Sequence, residues 1–223
     1  MATGAVTGLA AEAEIARQAG LVAAAGAGTP EGTERAIRTL IEQGVPGLVS
    51  FGIAGGLVPN LLSGTLIAPA AVRATHGEAH WVDVEWHARL TRMAHAAGIP
   101  LVVGGIVGAE TIAASAADKA RLREATHAIA VDLESHRVAI AAGRARIPFL
   151  VFRVIADAAD RDLPPAALVP LSRSGRPSVR VLSSLMASPG QIPELLRLAR
   201  ETRAALDALR RGACELGAAL RHA

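Results

Sequence analysis

Residues 128–160 read AIAVDLESHRVAIAAGRARIPFLVFRVIADAAD, two strongly apolar runs separated by a stretch of helical texture. AIAVDL and IPFLVFRVIAD are short, aliphatic and β-branched, which predicts buried strands, and residues from about Glu134 to Ala145 predict the helix between them. A strand, a helix and a second strand in this order imply a sheet whose neighbours run largely parallel. Both runs end in carboxylates: Asp132 and Glu134 after the first, Asp157 after the second. Acids at the ends of buried strands are costly unless they are used, and in open α/β sheets ligands collect at the carboxyl ends of strands.

The same alternation extends outward to the N-terminus. GAVTGL reads as a strand and AAEAEIARQAG as a helix. LVAAAG is a second strand, after which Thr29 caps a helix that has Pro30 at its first position and runs to Gly44. LVSFGI, GTLIAPAAV and IPLVVGGIVG are further strands, and a helix from about Ser115 to Ala125 precedes AIAVDL. The expected fold is α/β, one domain over residues 1–223 with a central mixed, mostly parallel twisted sheet flanked by helices. LPPAALVPLSRSGRPSVR is rich in Pro, Ser and Arg and reads as an irregular excursion over residues 163–190. Residues 193–220 form a long C-terminal helix, with Ile192, Leu195, Leu196, Ala199, Leu206 and Leu209 on its apolar face and Arg197, Arg200, Arg203, Arg210 and Arg211 supplying charge.

Composition narrows the possible functions. Hydrophobic residues make up 51% of the 223 and aromatics only 2%, so the core is aliphatic and a flat ligand finds few rings on which to stack. Net charge is +3, and the sequence pI of about 10.3 reflects arginine's failure to titrate rather than a strongly basic surface. No basic stripe interleaved with aromatics appears, which argues against nucleic-acid binding. The single cysteine, Cys214, has no disulfide or zinc partner, and His76 and His80, although four apart, do not read as a metal pair. Glu12 and Glu14 interrupt what would be a signal peptide, and no apolar run reaches the roughly 18 residues of a membrane span. The expectation is a cytoplasmic protein without metal or cofactor.

Four strand ends carry chemistry-bearing residues. GLAAEAE places Glu12 and Glu14 after the first strand, where acids also suit the first turn of a helix. FGIAGG, residues 51–56, has three glycines that suit a turn or a close backbone approach to a ligand. It is neither a dinucleotide fingerprint nor a Walker loop. VDLES offers Asp132 and Glu134, as ligand groups or as helix N-terminal acids. VIADAAD offers Asp157, with a helix cap or an ion pair to Arg153 as the plain alternative.

These pieces, over residues 4–161, resemble the nucleoside phosphorylase and nucleosidase superfamily, in its methylthioadenosine/S-adenosylhomocysteine nucleosidase branch. The resemblance is carried by VTGLAAEAE, FGIAGGLVPNLLSGTLIAP and VDLESHRVAIAAGRARIPFLVFRVIADAADR. VDLESH, IPFLVFRVIADAADRDLPPAALVPL and PGQIPELLRLARETRAAL are similar to the hopanoid-associated phosphorylase subgroup, implicated in removing adenine from adenosylhopane. The resemblance implies a nucleoside phosphorylase-like fold and a homodimer. It makes Asp157 the acid at purine N7, Glu134 the carboxylate gripping the ribose hydroxyls, and Leu133 the residue packing on the sugar. Ala54 and Gly55 fall in the glycine turn beside the sugar. Glu110, Thr111 and Ile112 match the stretch lining the base, with Thr111 where an aromatic usually stacks. Glu12 matches the carboxylate that activates water; its offset from Gly8 differs by one from the usual pattern, which keeps Glu14 as the alternative.

Cleaving an N-glycosidic bond builds positive charge on the sugar and negative charge on the purine, so an acid at the base and carboxylates at the sugar are the groups required. Phosphorylases of this kind hold phosphate with an Arg and a Ser, where this chain has Ser50 and Ile53. Water is therefore the expected nucleophile and phosphorolysis the alternative. The expected substrate is an adenosyl lipid, adenosylhopane, met through peripheral membrane contact by the C-terminal region. A methylthioadenosine/S-adenosylhomocysteine-type nucleosidase is a second reading, and a nucleoside or lipid carrier without turnover is a third.

Overall fold

In the computed structural model the described residues are 2–75, 78–165 and 192–222. The strands are β1 (Gly4–Thr7), β2 (Val22–Ala25), β3 (Leu48–Gly56), β4 (Leu66–Ile67), β5 (Ala71–Ala74), β6 (Ala79–Trp81), β7 (Leu101–Val102), β8 (Gly105–Gly108), β9 (Ala130–Asp132) and β10 (Phe149–Asp157). The helices are α1 (Ala10–Gln18), α2 (Pro30–Glu42), α3 (Val84–Ala96), α4 (Ala116–Thr126), α5 (Ser135–Ala145) and α6 (Ile192–Leu220). The fold class is the one expected: a mixed, mostly parallel sheet with helices on its faces and a long C-terminal helix.

The strand order is β6-β5-β8-β9-β3-β10-β4-β7, with β1 beside the first half of β3 and β2 outside β1. β3 and β10 form the centre. Both run nine residues, and their parallel register sets Phe152 opposite Phe51, whose rings stack with centroids 5.9 Å apart. Every β10 residue from Phe149 to Ala156 is buried, as the near-continuous apolar run requires of a strand covered on both faces.

Three local readings change. FGIAGG is no turn: β3 continues through it, and Gly55 and Gly56 pair antiparallel with Val131 and Ala130 of β9. GTLIAPAAV breaks into β4 and β5 because Pro69 lies between them and has no N–H to extend a ladder. IPLVVGGIVG likewise breaks into β7 and β8 at Val103-Gly104, so each predicted strand serves two parts of the sheet. A further difference is α3, a helix the sequence reading leaves unassigned; the Asp83 side chain caps it by accepting from Trp86 N.

The cap expected at Thr29 forms, its hydroxyl accepting from Gly32 N with Pro30 at the first helical position. α6 docks through a stripe of small and aliphatic side chains, Ala205, Ala208, Leu209, Ala213, Leu216 and Ala219, all buried. The face expected further upstream is not covered in the same way, since Leu196 and Ala199 are exposed. The five arginines of this helix point outward. Trp86 of α3 is buried and donates from Nε1 to the Ala219 carbonyl at 2.8 Å, tying the helix end down. Among the described residues no helix is long and apolar enough to cross a membrane. The excursion of residues 163–190 lies, beyond residue 165, outside the described residues, as does His76.

Candidate functional site

The carboxyl ends of β1, β3, β9 and β10 meet around a cavity of about 320 Å³. Its wall includes Gly8, Leu9 and Glu12, then Ile53, Ala54 and Gly55, then Val131 to Glu134, and finally Arg153, Ala156 and Asp157; Ile112 and Leu163 stand at its edge. Most of this lining is aliphatic, and five side chains carry charge.

Glu12 sits in the first turn of α1 and is 1% exposed. Its Oε2 accepts from Leu9 N at 2.7 Å and its Oε1 from Ile53 N at 2.8 Å, so one carboxylate ties the β1–α1 turn to the middle of β3. The close approach requires glycine at position 52, where φ is +146° and an added Cβ would lie 2.5 Å from the Glu12 carboxyl carbon. Glu14, on the outer face of the same helix, is exposed and bonded to Arg17 and Gln18. Of the two acids proposed for activating water, Glu12 lies in the cavity and Glu14 outside it.

Arg153 organises the carboxylates. It projects from mid-β10, is 1% exposed, and its Nη2 lies 2.7 Å from Asp132, 3.1 Å from Glu134 and 2.7 Å from Ser50 Oγ, while Nη1 donates to the Ile53 carbonyl at 3.1 Å. Asp132 also accepts from Ser135 N at 3.1 Å, capping α5, which gives it a structural task beside its charge. Ser50 Oγ and Ser135 Oγ are 2.9 Å apart. Two buried acids, Asp132 and Glu134, thus share one guanidinium, whose charge also reaches the buried Glu12, and like charges in such a site cannot all ionise freely. Burial raises the Glu12 pKa, with Arg153 opposing. Glu134 is pushed up to about 7, chiefly by burial; Arg153 pulls the other way and Asp132 adds to the rise.

Asp157 closes β10 and lines the same cavity. Its pairing to β3 shifts register between Ile155 and Asp157, a bulge that re-aims the strand's last side chain. The alternative of an ion pair to Arg153 does not form, because Arg153 is committed to Asp132 and Glu134. The partner of Asp157 is Lys119 of α4, whose Nζ donates to Asp157 Oδ2. Burial raises the Asp157 pKa, and Lys119 opposes it.

Leu133, Glu134, Ala54, Gly55 and Ile112 all line the cavity. Thr111 does not: it is exposed and outside the lining, and among the described residues no aromatic ring takes its place in the wall. Glu110 is also outside, bonded on the surface to Arg137 and to His136 Nε2 at 2.9 Å. Sequence reasoning considered Arg153 only as a neighbour of Asp157 and missed Lys119 and the Ser50–Ser135 pair. Lys119 left a signal, being the single lysine of the chain.

With Glu12, Glu134 and Asp157 all of raised pKa in one lining, the cavity holds groups that can deliver a proton and withdraw one. The sequence profile described as Phosphorylase superfamily matches residues 11–169. No curated protein matches the chain in sequence. Among solved structures, a Francisella philomiragia protein assigned as a 5′-methylthioadenosine/S-adenosylhomocysteine nucleosidase is 17% identical, with a TM-score of 0.71 over 99% of each chain. A Helicobacter pylori 5′-methylthioadenosine/S-adenosylhomocysteine nucleosidase variant, holding 5′-methylthioadenosine in its active site, is 15% identical with a TM-score of 0.69 over 95% of this chain and 97% of its own. Helicobacter pylori futalosine hydrolase is 18% identical with a TM-score of 0.68 over 83% of this chain and 97% of its own. At these identities the likeness is one of fold.

Proposed function

The chain belongs to the phosphorylase superfamily, and from that premise we propose that it is a purine nucleosidase that hydrolyses the N-glycosidic bond of an adenosyl lipid, adenosylhopane, releasing adenine and ribosylhopane. The observation that carries the reading is Glu12: a buried carboxylate held by two backbone N–H groups, in the same cavity as Asp157.

In this reading Asp157 gives its proton to purine N7 as the C–N bond electrons pass to the base. Burial raises its pKa and so favours the protonated form that this step needs. Glu134 holds the ribose hydroxyls and, with Glu12, faces the positive charge that develops on the sugar. Water adds to the sugar carbon while its proton passes to Glu12, and exchange with solvent restores both acids. Each of the two proton transfers is worth about 10²–10⁴ in rate.

The charge inventory supports water over phosphate. Among the described lining residues the one cation is Arg153, already bonded to two carboxylates, while Glu12, Asp132, Glu134 and Asp157 are all acids. A phosphate dianion entering there meets repulsion without a free guanidinium to receive it. The aliphatic lining and the exposed Ile112 at the edge suit a lipid-linked nucleoside, and the outward arginines of α6 suit an anionic membrane surface from which to draw it.

The test is adenine release from adenosylhopane and from 5′-methylthioadenosine, each with and without inorganic phosphate, with the sugar product identified. Hydrolysis predicts adenine at the same rate in both buffers and no phosphorylated sugar. A phosphate-dependent rate establishes phosphorolysis, turnover of 5′-methylthioadenosine alone establishes a methylthioadenosine-type nucleosidase, and binding without release from either substrate establishes a carrier.

A further inference from the structure

Of the 23 basic residues, 22 are arginines and one is a lysine, Lys119. It is fully buried, in a protein that otherwise uses arginine for every fixed positive charge. Its ammonium has three N–H donors and meets three acceptors: Asp157 Oδ2, the Ala158 carbonyl at 2.8 Å and the Arg161 carbonyl at 3.0 Å. All three acceptors belong to the end of β10 and the turn that follows it. A planar guanidinium presents its donors in a rigid fork and does not converge on a point in this way, which gives a physical reason for lysine at this position.

We propose that Lys119 is a positioning residue for the acid that protonates the purine: it holds Asp157 by Oδ2, leaves Oδ1 for the ligand, and supplies the countercharge as the Asp157 proton passes to the leaving base. The inference rests on the nucleosidase reading. No covalent step involves Lys119. The proton moves from Asp157 to the base, the base leaves with the bond electrons, and the new carboxylate lies against an ammonium already in place, so little reorganisation is needed. The stem of Lys119 rises from the first half of α4, whose start is locked by the reciprocal bonds of Ser115 and Asp118. α4 thereby becomes part of the site although the cavity wall contains none of its residues.

The other charged groups facing Asp157 are few. Glu201 of α6 raises its pKa and Lys119 lowers it. Asp160, Arg161 and Asp162 of the following turn share with Asp157 an outer cleft that also contains Glu194 and Arg197 of α6. Glu134 lines the same cavity as Asp157. Lys119 alone among them bonds to the Asp157 carboxylate.

Two measurements on the full chain test this. A single lysine means that [15N]lysine labelling yields one side-chain Nζ resonance, which is expected to shift in Asp157→Asn. Kinetics follow adenine release from adenosylhopane and 5′-methylthioadenosine against pH. In Lys119→Met the loss of the positive charge leaves Asp157 protonated to higher pH but a weaker donor. The high-pH limb of kcat should therefore move up by about one pH unit or more, with a plateau about tenfold lower and KM within about threefold. A merely structural lysine would lower kcat without moving the limb. An Nζ resonance indifferent to Asp157→Asn, or an unmoved limb in Lys119→Met whether or not kcat falls, overturns the inference alone. Absence of adenine from the wild type overturns the nucleosidase reading and the inference with it, even where the resonance shifts. The resonance needs no Lys119 variant, so a Lys119→Met chain that does not fold leaves the inference open to refutation.

Discussion

Glu12 and Glu14 are two residues apart and chemically alike, yet the fold puts one in the cavity and the other in solvent. The helical turn decides this: residues two apart point about 200° from each other around α1. Glu12→Gln should therefore reduce adenine release by about 10²–10⁴ with little change in KM, whereas Glu14→Gln should stay within about twofold of wild type. Equal losses in both variants would remove Glu12 from its role. Glu134 makes a separate prediction, on stability. Its folded pKa of about 7 lies above the ordinary glutamate value of 4.5, so the native state holds the proton more tightly than the unfolded chain. That contribution is complete below about pH 4.5 and is lost as pH rises through about 7, on the order of 3 kcal/mol for this carboxyl. Unfolding in urea at several pH values should show wild-type stability falling over this window, and Glu134→Gln, which cannot ionise, should flatten the fall. A wild-type curve without that slope would show that Arg153 neutralises Glu134 fully. The acids themselves were legible from the sequence, since an ionisable group closing an apolar run is conspicuous. Their partners were not, because Arg153 and Lys119 reach them across 21 and 38 residues of chain.

At the scale of elements, strands and helices with strong periodicity or clear caps were read closely: β10, α2 and α5 lie within two residues of expectation. The misread segments share a cause. FGIAGG is glycine-rich, which suits a turn and a close backbone approach alike, and in the centre of the sheet it serves the approach of another group to the backbone. Here that group is the Glu12 carboxylate, which bonds the strand at Ile53 N. Gly52→Ala should cost about 1–3 kcal/mol in backbone strain and displace Glu12 as well, so that stability and kcat fall together in urea titration and steady-state assays. An Ala variant of normal activity would show that β3 and Glu12 can both relax. The split of GTLIAPAAV and IPLVVGGIVG arises because pairing partners change along each run, and a partner is a tertiary fact that local composition does not contain. α3 was passed over for a related reason: its polar residues dilute the apolar face, and Trp86, Leu90 and Ala94 reveal that face only once they are buried.

For the molecule as a whole, α6 closes the fold by packing on β10, β3, α1 and α3, and β10 carries both Arg153 and Asp157. Leu209→Ala, at a fully buried position of α6, should destabilise the protein by about 2–5 kcal/mol. Measured well below the unfolding transition, it should leave kcat within a few fold, because Leu209 is not part of the cavity lining. A large kcat loss with stability intact would instead place α6 in the catalytic machinery. The sequence by itself determined that the chain is an aliphatic α/β protein, that acids close its central strands, and that its last segment is an amphipathic helix. These follow from hydrophobic period, caps and breakers, which act over a few residues. Only the tertiary structure decided that Glu12 and not Glu14 enters the cavity, that Asp132 and Glu134 share Arg153, and that Asp157 is held by Lys119. Those outcomes depend on which strands lie side by side, and burial converts that adjacency into charge pairing and shifted protonation that no local pattern encodes.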